Sequence, residues 1–386
     1  MPGCRVVVAS DKFKGTLSSD EVAAAVKDGV LRVRPDAIVD VVLVADGGDG
    51  TLAAAVGAGF ELVAVDATGP TGEVVQSGFA RRGEVAVVEL ADASGLIRLP
   101  GGEPAPMSAT SRGTGELVAA AIDSGCNRII LGIGGSACTD GGAGLVRALG
   151  ARLLDSNGRE VAEGGAALIE AESLDLTALR ERLAGVEIVM ACDVDNPLTG
   201  QSGAAAIYGP QKGATPAQVA ELDVALTHWA DLVTREGAHD LREVAGAGAA
   251  GGVGFAGVAL LGAEVRAGIE LMLELVGFGQ RLGGVDLVVT GEGALDEQTL
   301  HGKAVAGVAA AATGAGIPVV AVCGTNRLGP ERLRGAGIAA AYALTDLEPD
   351  VRRCIADPVP LLRRLGERIA TDQLPLATGA PGRGSA

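Results

Sequence analysis

The chain opens on an apolar run, Arg5–Ala9, which gives way to a polar, glycine-bearing stretch, Asp11–Gly15. Val22, Val26, Val30 and Val33 then recur at the three- and four-residue spacing of one helix face. Ser18 and Glu21, just ahead of them, have the spacing of a capping box. The same order returns along the chain: Ile38–Ala45 before Asp46–Gly50, Arg128–Ile133 before Gly134–Gly142, and Val186–Ala191 before Asp193–Gly200. It returns again at Val285–Thr290 before Gly291–Thr299 and at Ile317–Val322 before Gly324. Repeated strand, glycine-rich loop and helix predict an α/β fold, with a mostly parallel sheet covered by helices on both faces. In such sheets ligands sit at the carboxyl ends of the strands, where each of these loops begins.

Two regions break the rhythm. Residues 66–114 read as short strands and turns, with Asp66–Pro70 and Glu84–Leu90 as examples. Residues 196–284 hold a Pro/Gly-rich segment, a helix near Pro216–Glu236, the glycine-rich stretch Gly246–Gly254 and a further helix. At 386 residues the chain exceeds one ordinary core. The expected division is therefore one sheet domain from residues 1–65, 115–195 and 285–374. A smaller α/β domain from 66–114 and 196–284 is inserted into it, with the active site in the interdomain cleft. Residues 375–386 read as a disordered tail.

Composition narrows the function classes. Hydrophobic residues make up 48% of the chain, aromatics only 2%, and there are 60 glycines, so packing relies on Ala, Val, Leu and close backbone approach. A formal net charge of −17 speaks against nucleic acid and anionic membrane surfaces as partners. It leaves room for a phosphorylated ligand, because phosphate sites are built locally from backbone amides and a few cations. The six scattered cysteines form neither a disulfide framework nor a zinc site. Every long apolar stretch is broken by charge and no signal-peptide pattern precedes Arg5, so the expectation is a cytoplasmic protein. Lysine is scarce, five against 26 arginines, and Lys12, Lys14, Lys212 and Lys303 all fall in glycine-rich loops. A compact ammonium on a mobile stem suits phosphate, although loop lysines are commonly only solvated.

Five segments carry candidate chemistry. In SDKFKGTLS, Lys12 and Lys14 leave a strand end and face a forming helix. In ADGGDGT, Asp46 and Asp49 sit in a turn where carboxylates act as caps, substrate acceptors or water-mediated Mg²⁺ contacts. GIGGSACTDGGAG, close to half glycine, follows a strand and opens a helix, so Gly134, Gly135, Ser136, Thr139, Asp140 and Gly141 are candidates for nucleotide contact. It is neither a Walker A loop nor a dinucleotide fingerprint. In ACDVDNPLTG and GPQKGA, Asp193 is a candidate base, Asp195 a substrate contact and Lys212 a cation beside the moving phosphoryl group; Asx-turn residues are the plain alternative. In TGEGALDEQTLHGKA, Glu292 and Asp296 are candidates for metal and Lys303 for phosphate. None of the three histidines pairs with a Ser or Cys nucleophile, which weakens hydrolase readings; His301 reads as structural.

Taken in order, SDKFKGTLSSDEVAAAV, VADGGDGT, TSRGTGEL, LGIGGSACTDGGAG, ACDVDNPLTG, GPQKGA, GAGAAGGVGFA and TGEGALDEQTLHGKA resemble the type-1 glycerate kinase family across residues 10–304. The resemblance implies transfer of the γ-phosphoryl group of ATP, with Mg²⁺, to D-glycerate, usually giving 2-phosphoglycerate. It also implies a Rossmann-like domain with a smaller partner. Family members often carry Arg where Ala294 stands, Ser at Lys12 and Glu at Asp49. The exchange at 294 removes a contact to phosphate or carboxylate.

From the residues themselves, the expected roles are as follows. ATP meets the Gly134–Gly142 loop, with Glu292 and Asp296 on Mg²⁺. Lys14 and Arg112 hold the glycerate carboxylate, with Lys12, Asp46 and Asp195 nearby. Asp193 takes the hydroxyl proton, and Lys212 offsets charge on the phosphoryl group. Two rivals stand beside this reading: a kinase for another small hydroxy acid or sugar acid, and a non-catalytic sugar-phosphate-binding regulator. A homodimer is left open.

Overall fold

The computed structural model describes residues 3–300 and 303–375; His301 and the expected tail beyond Pro375 lie outside these. The strands in chain order are β1 Arg5–Ser10, β2 Ile38–Val41, β3 Glu61–Thr68, β4 Val74–Arg82, β5 Val85–Glu89, β6 Arg128–Gly132 and β7 Arg152–Leu154. Then come β8 Ser173–Asp175, β9 Glu187–Ala191, β10 Glu264–Arg266, β11 Leu287–Leu295, β12 Val319–Asn326 and β13 Ala340–Ala343. Helices alternate with them, so the α/β class read from the periodicity holds. Among the described residues no helix is long and apolar enough to cross a membrane.

The chain forms two compact units, Met1–Val44 with Leu273–Ala386, and Ala45–Met272. In the first, five parallel strands run in the order β13-β12-β11-β1-β2. Val6, Val8, Leu287, Val289, Val320 and Val322 build a core on one face with Val22, Val26 and Val30 of the helix Ser19–Val33. On that helix the expected face is buried except for Val33, which is 39% exposed. Glu21 accepts hydrogen bonds from the Ser18 N–H at 2.9 Å and its hydroxyl at 2.8 Å, fixing the helix start. The alternate residues Val7, Val288 and Ala321 are equally buried, so both faces of this sheet are covered. The strand order reverses between β1 and β11, which marks a topological switch point, where open parallel sheets hold their ligands. β11 runs on to Leu295, five residues past the expected strand end, because its ladder with β12 continues through Ala294 and Leu295. It parts from β1 after Gly291, so the two neighbouring strands diverge there.

In the second unit six strands run β10-β9-β6-β5-β4-β3. The first four are parallel, and β5, β4 and β3 continue as an antiparallel edge. This grouping differs from the expected division. β5 pairs with β6 from Val85↔Arg128 to Glu89↔Gly132, so residues 66–114 and 115–195 share one sheet. The inserted unit is accordingly the longer of the two. Local periodicity identifies these strands, but the pairing that decides their sheet is made between residues some forty positions apart.

Candidate active site

In the second unit the loop after β6 is built by backbone meeting backbone. On one side lies the turn Asp46–Gly50: the Gly134 N–H donates to the Gly47 carbonyl at 3.1 Å, and a Cβ on Gly134 would stand 2.5 Å from the Gly48 Cα. A Cβ on Gly135 would meet Asp49 Oδ1 at 2.5 Å, so the Asp49 carboxylate lies directly over this backbone. On the other side lies the stretch Ala250–Gly252, with φ of 52°, 68° and 92°. The Gly141 N–H donates to the Gly251 carbonyl at 3.0 Å, and a Cβ on Gly251 would press to 2.1 Å from the Cys138 carbonyl oxygen. Ala250 is the one non-glycine residue with positive φ among the described residues, a conformation that costs about 1 kcal/mol. Glycine at 134 and 251 is thus a requirement of close backbone approach, and at 135 of a φ of 75°.

Beneath the loop, Trp229 Nε1 donates to the Gly141 carbonyl at 3.0 Å. Lys212 Nζ donates to Ser136 Oγ at 2.9 Å and to the Cys138 carbonyl. Lys212 is only 2% exposed, and burial pulls its pKa down while Cys138 and Asp140 push it back up. Instead of standing in solvent as a loop lysine, it is locked under the glycine loop.

Asp140 also points inward. It is 1% exposed and accepts from the Ser111 N–H and hydroxyl, both at 2.8 Å, and from the N–H groups of Gly142 at 3.1 Å and Gly144 at 3.2 Å. Burial raises its pKa, against the pull of the Ser111 and Gly144 donors. It clamps the loop to the start of the helix Arg112–Asp123. Thr139 Oγ1 is buried and has no hydrogen-bond partner among the described residues. Nor, among them, do the N–H groups of Gly135, Ser136, Cys138 and Thr139 meet an acceptor within the protein. Ser136, Cys138 and Thr139 are buried, and buried amides are rarely left unmet, whereas Gly135 is exposed. A run of unmet donors beside a buried ammonium is chemistry suited to an anion.

At the end of β9, Asp193 and Asp195 are both exposed. Asp193 Oδ1 accepts from the Gly268 N–H at 2.7 Å, at the start of the helix Gly268–Leu275. Gly268 in turn packs on Asp46: a Cβ there would stand 2.0 Å from the Asp46 carbonyl oxygen and 3.0 Å from Asp193 Oδ2. Asp46 and Asp193, 147 positions apart in sequence, are therefore brought together around one glycine. Asp195 lies two residues on and is exposed as well.

Arg112 is placed differently from expectation. Its guanidinium binds Glu163 Oε1 at 2.8 Å through Nε and 2.7 Å through Nη2. Glu163 is shared with Arg147 at 3.1 Å and Thr110 Oγ1 at 2.7 Å. The arginine is thus engaged in an ion-pair cluster, and Glu163 was not singled out by the sequence. Glu89, at the end of β5, was missed as well: it lies in an apolar run and read as part of a strand.

In the first unit Lys12 and Lys14 follow β1 at the switch point. The loop is drawn tight by the Phe13 N–H to the Leu17 carbonyl at 2.9 Å, and the Asp11 N–H donates to the Gly291 carbonyl at 2.9 Å. A Cβ on Gly293 would lie 3.6 Å from the Lys14 backbone nitrogen, so the two loops are neighbours. Lys14 is exposed and Lys12 half-buried. Glu292, near the end of β11, and Asp296, just past it, are half-buried. Asp296 Oδ1 accepts from the Gln298 N–H at 2.9 Å, and the Asp296 N–H donates to Thr299 Oγ1 at 3.0 Å. Lys303 stands just before the helix Ala304–Gly314, its Nζ 3.5 Å from Gln298 Oε1. Among the described residues no three His, Cys, Asp or Glu side chains gather as a metal cage. That donor set fits Mg²⁺, which takes one or two carboxylates and completes its shell with water and phosphate oxygens.

Comparison with known proteins gives one answer. Residues 6–373 match the model of the glycerate kinase family. Glycerate kinase of Bacillus subtilis (strain 168) is 43% identical over 343 residues, covering 88% of this chain and 90% of the relative. Glycerate 2-kinase of Escherichia coli (strain K12) is 45% identical over 325 residues, 83% of this chain and 85% of that protein. A crystal structure of a candidate glycerate kinase 2 from Salmonella typhimurium LT2 superposes with a TM-score of 0.81 at 41% identity, covering 96% of this chain and 98% of that one. Sequence motifs and fold thus agree, and the chain belongs to the glycerate kinase family: it is a phosphotransferase.

Proposed function

We propose that the enzyme transfers the γ-phosphoryl group of ATP to the 2-hydroxyl of D-glycerate, giving 2-phosphoglycerate and ADP. The observation that carries this reading is the loop Gly134–Gly142, where the amides of Gly135, Ser136, Cys138 and Thr139 meet no acceptor among the described residues and Lys212 is buried against the loop, while the exposed Asp193 stands at a strand end. The similarity to a protein named glycerate 2-kinase supports the choice of hydroxyl.

In this reading the amides of Gly135, Ser136, Cys138 and Thr139 receive phosphate oxygens, and Thr139 Oγ1 adds a donor. Lys212 holds the loop in shape and places a positive charge under it, where charge builds in the transition state. The substrate oxygen forms its bond to phosphorus as the bond to the ADP oxygen breaks, and the hydroxyl proton passes to the Asp193 carboxylate. Gly268 keeps Asp193 in one orientation, which is the positioning such transfers depend on. Mg²⁺, when bound, neutralises phosphate charge, and Glu292 and Asp296 are the residues that would hold it. Lys12, Lys14 and Lys303 supply further positive charge for the anionic reactants. Asp46 and Asp195 are substrate contacts in the same proposal.

The test is phosphorus NMR of the product formed from D-glycerate and Mg·ATP. A phosphomonoester resonance coupled to the single C2 proton is expected; coupling to the two C3 protons would place the phosphate on the other hydroxyl.

A further inference from the structure

Glu89 ends β5 opposite Gly132 in the β5–β6 register, at the point where the glycine loop begins. It is 6% exposed, and none of the roles above uses it. Its carboxylate reaches back across 37 residues: Oε2 accepts from the Leu52 N–H at 2.8 Å and the Gly50 N–H at 3.2 Å, with Oε1 3.3 Å from the same Gly50 N–H. These amides belong to the end of the Asp46–Thr51 turn and the start of the helix Thr51–Gly57 that follows it; in that turn Asp49 lies over Gly135 and Asp46 packs on Gly268 beside Asp193. A buried carboxylate is costly, and a strand end surrounded by Ala, Val and Leu does not ask for one.

We propose that Glu89 is a positioning residue for phosphoryl transfer: its carboxylate fastens the Asp46–Thr51 turn to the end of β5 and so sets where Asp46 and Asp49 stand beside the Gly134–Gly135 backbone. The proposal rests on the reading that this loop serves the transfer. Two further acids face the group, Asp49 on the turn and Asp92 on the helix that follows Glu89. Asp92 is itself bonded by Ser77 Oγ at 2.7 Å and paired with Arg98. Burial raises the Glu89 carboxyl to about 7, against the Leu52 and Gly50 amides, which lower it; Asp49 and Asp92 add to the rise. Protonation turns an accepting oxygen into a donor that faces amide donors, so the turn loosens as pH falls through this value. Stability runs the other way. A carboxyl raised from 4.5 to about 7 favours the folded state at low pH, and that contribution is lost as pH rises through the folded value. Activity that grows while this stability term shrinks cannot be a by-product of folding.

The experiment measures kcat and KM for glycerate and ATP against pH in the wild type, Glu89→Gln, Glu89→Asp and Asp46→Asn. The wild type is expected to lose kcat as pH falls through about 7. Glu89→Gln should fold, lose that acid limb, and show kcat lowered about 10-fold or more at pH 8 with little change in KM, because a displacement near 1 Å costs up to about 10²-fold. Glu89→Asp, a carboxylate too short to reach the Leu52 N–H, should keep the limb at reduced kcat. If Glu89→Gln fails to fold, Glu89→Asp decides: wild-type kcat there overturns the proposal. Impaired Asp46→Asn beside a Glu89→Gln that keeps the wild-type kcat and acid limb overturns the positioning role alone. Wild-type turnover in both overturns the site reading underneath it.

Discussion

Asp193→Asn is expected to lower kcat about 10²-fold or more, with a modest change in KM. The side-chain amide oxygen of Asn can still accept from the Gly268 N–H, now at 2.7 Å, so the local geometry survives the substitution. What is lost is the ability to take a proton from the attacking hydroxyl, a step felt in the transition state and hardly at all in the ground state. Steady-state kinetics with glycerate and ATP measures this directly. Turnover close to wild type in Asp193→Asn removes the carboxylate from the base role and leaves it as a helix cap.

Asp140→Ala is expected to have the largest effect on stability. Its carboxylate satisfies three buried N–H groups, those of Ser111, Gly142 and Gly144, together with the Ser111 hydroxyl. An orphaned buried donor costs about 1–3 kcal/mol, and Leu145 N–H depends in turn on Ser111 Oγ at 2.9 Å. Partial relaxation and water entry bring the expected total to about 3–5 kcal/mol. In a unit of this size that corresponds to a fall of about 10 °C in the unfolding temperature, read by circular dichroism. An unchanged transition would mean that the clamp between the glycine loop and the helix Arg112–Asp123 contributes nothing.

Periodicity made the elements legible. Val22, Val26 and Val30 face the core as their spacing requires, and the Ser18–Glu21 pair starts the helix it was expected to start. Loops such as Asp46–Gly50 and Gly134–Gly142 could be placed at strand ends because glycine and aspartate interrupt apolar runs there. What stayed hidden is long-range. Whether β6 joins β1 or β5 depends on ladder bonds that no local pattern encodes. Arg112 looked available for a carboxylate, yet Glu163, 51 positions away, already occupies it. Lys212 and Asp140 read as loop charges facing a ligand, but backbone carbonyls and amides of the loop draw both inward. Glu89 offered no signal at all, since one acid at the end of VAVVEL resembles an ordinary strand terminus. Its partner amides lie on a turn 37 residues earlier.

The central claim is that the amides after β6 receive the terminal phosphates of the nucleotide. The most direct measurement follows backbone amide resonances of the isotope-labelled enzyme as Mg·ATP is added. The account predicts the largest shifts at Gly135, Ser136, Cys138 and Thr139, with Gly142 and Gly144, already bonded to Asp140, moving less. Saturating Mg·ATP that shifts amides elsewhere while leaving those four in place would contradict it.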